Sequence, residues 1–481
     1  MSGRRTITPV DDATTLARYH AATARLDALI ETTPAPRDTS RAAVQERAGY
    51  RMGRLRRFLA MLGDPHLGYP IVHVGGTSGK GSTSTTIAAI LHAAGLDVGL
   101  HTSPYLQTPA EKLQGNGLLV DPTLYADLTD EILAAHDRWL ANGEESITYG
   151  EAWSALTALF FRATGVDIAV LEVGAGGRFD LTNINETTVS VITSVGIDHT
   201  HTLGETIPEI AWHKAGIIKP GRPAVTAVTD PVALEIIREE ARQLGSNLRV
   251  VDPEVNVTDV ETDASGTRWR DAATGVSHHM TLCGSFQARN GATAIATVET
   301  LRALGWTIPD ETVARGLETA RIAGRAELVA DVVPVLLDGA HNPQKVAALA
   351  CDVPGLLPVG PEGRRVAVLG VLEAKQAREI VASLVPVTDV LVATSPQVFA
   401  KEAKDADEMA EVAREAGFHG PLWLEPEPRE AVARAVAVAG ERPGSAVLVA
   451  GSLYLVGNVR ERWYPEDAIV LARSPWPAPR L

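Results

Sequence analysis

Residues 71–82 read Ile-Val-His-Val-Gly-Gly-Thr-Ser-Gly-Lys-Gly-Ser: an apolar run, a glycine-rich turn, a lysine and a hydroxyl. Backbone N–H groups in such a turn converge on one point, and a following helix aims its positive end at the same place. The chemistry this suits is cradling nucleotide phosphates. Gly76, Thr77, Ser78, Gly79 and Gly81 would supply backbone, Lys80 would reach the terminal phosphates, and the Ser82 hydroxyl would meet a Mg2+ held by them. The spacing departs from the strict P-loop: Gly81 follows Lys80 where a hydroxyl residue is usual, and Val74 stands at the early glycine position. A plain glycine turn is the alternative, and the small-residue helical run from Thr83 to Leu91 argues against it.

Later strand ends carry further reactive groups. Glu172 closes the apolar run from Ile168 and precedes Gly174-Ala175-Gly176-Gly177-Arg178, which puts a carboxylate on the rim where the phosphate turn emerges and suits a metal ligand. A helix cap or an ion pair with Arg178 is the plainer account. The next apolar run delivers Asp198 and His199; an imidazole there can bind a divalent ion, with Mg2+ or Mn2+ beside ATP a better fit than zinc, since no third zinc ligand is evident. Lys214, on a helical stretch, would matter only if buried beside metal and phosphate. In the second half, Asp338-Gly339-Ala340-His341-Asn342-Pro343 ends another apolar run; Asp338 can accept from a ribose hydroxyl or position an amine, and His341 can approach phosphates, against a simple Asx turn. Arg325 is placed to reach across a cleft toward ATP, or merely to bridge two domains.

These groups need a scaffold of apolar strands covered on both faces, and the sequence supplies one. Strands are expected at 71–75, 98–100, 168–173 and 189–195, alternating with helices that include 149–163, which predicts an α/β chain with a central P-loop parallel sheet. Short polar alternations over 245–280 predict an antiparallel excursion. A second series near 335–338, 366–369, 390–393 and 446–450 predicts a smaller Rossmann-like α/β domain, with domains at 1–322 and 323–481. The chain of 481 residues is long enough for both. Its net charge of -15 argues against nucleic acid as a partner. Cys283 and Cys351 are expected as core thiols, and the basic run Arg51, Arg54, Arg56, Arg57 as a solvated helix face. No apolar run resembles a signal peptide or a membrane span, so no stable membrane association and a cytoplasmic enzyme are expected.

Taken in order, Leu62-Gly63-Asp64-Pro65, the phosphate turn, Thr102-Ser103-Pro104-Tyr105-Leu106, Glu172 to Asn183, Gly196 to Thr200, Lys214-Ala215-Gly216-Ile217, Phe286 to Asn290, Asp338 to Pro343 and Gly451 to Gly457 resemble the Mur ligase superfamily, in its folylpolyglutamate synthase and dihydrofolate synthase branch. The resemblance spans about Tyr50 to Arg460. It implies an ATPase domain closed by a C-terminal domain, and ATP-dependent ligation of L-glutamate to dihydropteroate or a reduced folate through an acyl phosphate. By that likeness Ser82 and Glu172 hold one Mg2+, His199 a second, Lys214 is carbamylated, and Asn290, Arg325, Asp338 and His341 serve nucleotide or amine; Lys80, Lys214, Asp338 and His341 are the expected catalytic set. The departures matter chiefly for the substrate: Ser78 for Asn in the nucleotide loop, Tyr105 for His, Lys112 for Arg, His213 for Glu, and no Trp-Pro before Gly324-Arg325. A related ligase for another carboxylate and amine is the first alternative. A non-ligase ATP-binding regulatory module is the second, and it would not need both rims of polar residues.

Overall fold

The computed structural model describes residues 11–31, 40–198, 200–373, 375–398 and 401–478. Among them, eight strands form the first sheet: β1 (Ile71–Gly75), β2 (Val98–His101), β3 (Leu113–Gly115), β4 (Leu118–Leu119), β5 (Ile168–Glu172), β6 (Val189–Ile192), β7 (Ala224–Thr226) and β8 (Leu248–Val250). Their order is β4-β3-β2-β5-β1-β6-β7-β8, parallel from β2 to β8, with β3 and β4 antiparallel at one edge. The chain leaves β1 toward β2 on one side and later builds β6 on the other. This reversal opens a crevice at the carboxyl end of β1, where ligands of such sheets bind.

Period-two alternation explains why the sheet is buried on both faces. Val72 and Val74 enter one core with Ile87, Ile90 and Leu91, whereas Ile71 enters the opposite core with Phe58, Trp153 and Phe161. The second core is roofed by helices Asp12–Glu31, Arg41–Met61, Pro122–Ala141 and Tyr149–Thr164. Here the expected solvated basic face fails at Arg54, which is buried and makes a two-pronged pair with Glu151 at 2.8 and 2.6 Å. Arg57 is exposed, as read.

The excursion is an antiparallel sheet of β9 (Thr258–Asp263), β10 (Gly266–Arg270) and β11 (Ser277–Met280). Val255 and Asn256, read as part of it, lie in the short helix Pro253–Asn256 instead. The third sheet comprises β12 (Glu327–Ala330), β13 (Pro334–Leu337), β14 (Arg365–Leu369), β15 (Val390–Ala393), β16 (Leu422–Leu424) and β17 (Ala446–Ala450), ordered β12-β13-β17-β14-β15-β16 and parallel except for β12. The mixed α/β class with two parallel sheets is as expected. Helix Glu466–Ala472 then returns to the first region, burying Ile469 and Val470 in the core beneath helix Asp12–Glu31. Cys283 is buried, but Cys351 is exposed, because it falls on the outer face of helix Pro343–Leu356 while Val346, Leu349 and Val353 face the sheet. No helix of the described residues is long and apolar enough to cross a membrane.

Candidate active site

The phosphate turn follows β1 directly, and helix Lys80–Ala93 begins at the lysine. Two glycines are required by geometry. Gly76 has φ of +147° and a side chain there would collide with Thr193; Gly79 has φ of +84° and a side chain would collide with the Asn290 amide. The expected strand 189–195 stops at Ile192 because its continuation turns to hold this loop. Thr193 Oγ1 and Ser194 Oγ donate to the Ser78 carbonyl at 2.6 and 2.9 Å, Ser78 N–H donates to Ser194 Oγ at 2.8 Å, and Thr77 exchanges bonds with Gly196.

Lys80 Nζ donates to the Gly76 carbonyl at 3.2 Å and lies 4.0 Å from Glu172 Oε1. Glu172 is 4 % exposed and accepts from Ser103 N–H at 3.0 Å. Burial raises its pKa, which Lys80 and the Ser103 N–H oppose. Its alternative partner is elsewhere: Arg178 pairs with Glu240 at 2.8 Å. Gly81 leaves space beside Glu172, so that a Cβ at 81 would stand 3.5 Å from Oε2, and the buried Ser82 hydroxyl lines the same cleft. A hydroxyl and a carboxylate are hard oxygen donors, which fits Mg2+. His199 lies outside the described residues. Among the described residues no group of three His, Cys, Asp or Glu gathers as a metal site.

Lys214 is 2 % exposed on helix Ile207–Ala215. Burial pushes its pKa down to about 7, Lys80 and Lys345 add to the fall, and Asp198 opposes it. The amine is therefore substantially neutral near pH 7, the state that can act as a nucleophile.

The opposite wall comes from the third sheet. Asp338, just after β13, accepts from Ala340 N–H at 2.7 Å, the Asx turn, and from Ala326 N–H at 2.8 Å, so both oxygens are committed to backbone. It organises the wall more than it reaches from it. His341 Nδ1 meets the Gly339 carbonyl at 2.8 Å, so Nδ1 carries the proton and Nε2 accepts from Lys345 Nζ at 3.4 Å. Burial, with Lys345 and Arg325 adding, lowers His341 to about 3, and burial with Arg325 lowers Lys345 to about 8. Asn290, Arg325, Asp338 and His341 all line one cleft of about 1430 Å3 with residues 77–82, as does Glu172. Lys214 is buried and does not line the cleft, though Lys80 and Lys345 are close enough to lower its pKa.

Sequence reading missed Thr193, Ser194 and Lys345, and named Ser103 only within a resembling segment. The two residues after β6 bond through single hydroxyls and leave no pattern. Lys345 left a signal: it is a cation in the first turn of helix Pro343–Leu356, against the helix dipole, and such a placement asks for an anion nearby. A smaller cavity of about 170 Å3 adjoins the cleft, sharing Ser103 and Gly174 with it, and is lined by Tyr69, His101, Lys112, Trp153 and Asp180. Lys112 Nζ sits 3.6 Å from the Trp153 ring centre, and burial lowers its pKa to about 7.

Residues 74–298 match the Mur ligase middle domain, and residues 324–453 the Mur ligase glutamate ligase domain. A probable bifunctional folylpolyglutamate synthase/dihydropteroate synthase of Halobacterium salinarum is 36% identical over 415 residues, covering 84% of this chain and 48% of its own length. The chain thus spans about half of that relative. The dihydrofolate synthase/folylpolyglutamate synthase of Bacillus subtilis is 33% identical over 418 residues, covering 85% of this chain and 94% of that one. The solved Mycobacterium tuberculosis folylpolyglutamate synthase complexed with ADP and AMPPCP aligns with a TM-score of 0.80 at 27% identity, over 92% of this chain and 98% of that one. With both domains matched in order and a relative aligned nearly end to end, the chain belongs to the Mur ligases, in the branch of the folylpolyglutamate synthases and dihydrofolate synthases.

Proposed function

We propose that this protein joins L-glutamate to dihydropteroate or a reduced folate, using ATP and forming an acyl phosphate. The observation that carries the reading is a cationic cleft with room for a nucleotide beside a smaller, aromatic-lined cavity, the two sharing Ser103 and Gly174 in their linings. In this reading residues 1–322 bind ATP and the pterin, and residues 323–481 carry the amine-side wall.

A carboxylate oxygen of the acceptor attacks the γ-phosphorus of ATP, and ADP leaves with the bridging oxygen. The glutamate amine then attacks the acyl carbon, phosphate leaves, and the amine gives up a proton. The N–H groups of 79–82 and Lys80 hold the phosphoryl oxygens as charge moves between them. One Mg2+ held by Ser82 and Glu172, and a second with His199 among its expected ligands, would neutralise phosphate charge. Arg325 and Lys345 face the phosphates from the other wall, with Lys345 oriented by His341. Enclosure between the walls keeps water from the acyl group. The depressed Lys214 amine supports carbamylation: neutral nitrogen attacks CO2 and loses a proton, replacing a cation by an anion. Incubation with ATP, Mg2+ and either acceptor, with and without glutamate, should yield a product heavier by one glutamyl unit; ATP turnover indifferent to both acid and amine would overturn the reading. Bicarbonate labelled with carbon-13 should report a carbamate that Lys214→Met lacks.

A further inference from the structure

Arg325 enters the cleft from a backbone clamped on both sides. Ala326 N–H is held by Asp338, and Gly324 N–H donates to Glu327 Oε2 at 2.7 Å. Glu327 is itself the centre of a buried hub. Arg460, 0 % exposed, donates to it from Nε and Nη2, both at 2.9 Å, and Trp476 Nε1 donates to Oε1 at 2.7 Å. Arg460 Nη2 also holds the Pro475 carbonyl at 2.7 Å, and the Arg321 guanidinium lies over the Trp476 ring at 4.2 Å. Trp476 comes from the strap that follows helix Glu466–Ala472, whose Arg473 bonds Leu119 in both directions at 2.9 Å. The strap therefore starts on the first core and ends on the hinge before the third sheet.

We propose that Trp476 is a positioning residue for Arg325: its indole N–H completes the donor set of Glu327, and Glu327 fixes the hinge backbone from which Arg325 faces the nucleotide. Without that donor Oε1 keeps only Arg460 Nη2, and the Arg460 fork alone orients the carboxylate on which the Gly324 N–H depends. The idea rests on the proposed role of Arg325 toward ATP, and it reaches beyond that role by assigning the C-terminal strap a part in it.

The test is a double-mutant cycle on the full chain, read by calorimetric binding of ADP and by KM for ATP. Trp476→Phe keeps the ring over Arg321 and removes the donor. It should weaken ADP and raise KM for ATP about three- to tenfold while kcat stays within about twofold, the loss expected of one partly buried hydrogen bond to a carboxylate. Trp476→His, which retains a ring N–H, should recover most of the affinity. In an Arg325→Ala background, Trp476→Phe should add nothing further, since its effect passes through the missing guanidinium. An undiminished effect in that background, or no effect in the native one, overturns the proposal. Should Trp476→Phe not fold, Trp476→Leu read against Trp476→His gives the same comparison: affinity lost without a donor and kept with one upholds it, and equal affinity in the two overturns it. If Arg325→Ala binds ADP normally, the role of Arg325 fails, which is a different result from failure of the strap.

Discussion

The two walls of the cleft solve the same electrostatic problem with different materials. The wall after β1 offers backbone N–H groups, held in place by the Thr193 and Ser194 hydroxyls, and backbone dipoles carry no net charge to desolvate. The wall after β13 offers side chains, and burying them shows in every shift: burial with neighbouring cations lowers Lys345 to about 8 and His341 to about 3, while burial raises Asp338 against the pull of Arg325 and Lys345. An anion is thus met by preformed dipoles on one side and by cations under mutual strain on the other. Binding a polyphosphate should relieve the second wall and leave the first unchanged.

The comparison can be broken first at Lys80, the only side-chain cation of the backbone wall among the described residues 76–82. Lys80→Ala should lower kcat/KM about 10²- to 10³-fold with ADP affinity less affected, as measured by glutamylated product over time. Removing the hydroxyl latch, Thr193→Val with Ser194→Ala, should weaken ADP about tenfold by calorimetry without altering any pH dependence, since no ionisable group is touched. Unchanged affinity would mean the loop holds its shape unaided.

Lys345→Met sharpens the contrast through stability. A lysine with a folded value of about 8 against an ordinary 10.5 destabilises the fold fully below pH 8; between 8 and 10.5 the unfolded chain binds the extra proton, so stability rises with pH and the cost is gone above 10.5. The ligand-free variant should therefore exceed the native protein by on the order of 1–2 kcal/mol in urea unfolding at pH 7, and the gap should close by pH 10.5. Nucleotide affinity should fall in the same variant. The smallest effect is expected at His341: with its value near 3 it stays neutral through physiological pH, so His341→Asn should shift rate but leave the shape of the pH–rate profile between 5.5 and 8 unchanged.

Much of the candidate site was legible because its residues sit where chain order and strand ends coincide. Gly76 to Ser82, Glu172, Asp338 and His341 each terminate an apolar run, and a parallel sheet delivers such termini to one rim. Cys351 and Arg54 were misread because burial on a helix depends on which face meets a neighbour, and the partners, the sheet around Leu336 and Glu151 respectively, are distant in the chain.

What the sequence determined by itself was the alternation of strands and helices, the phosphate turn and the roster of charged groups at strand ends, since these follow from local periodicity and residue type. Only the tertiary structure decided how those charges act. It committed both oxygens of Asp338 to backbone, set Lys345 against His341, buried Lys214, and brought Trp476 from the far end of the chain to the hinge. Hydrogen-bond partners and desolvation are properties of neighbours in space, and the order of residues does not state them.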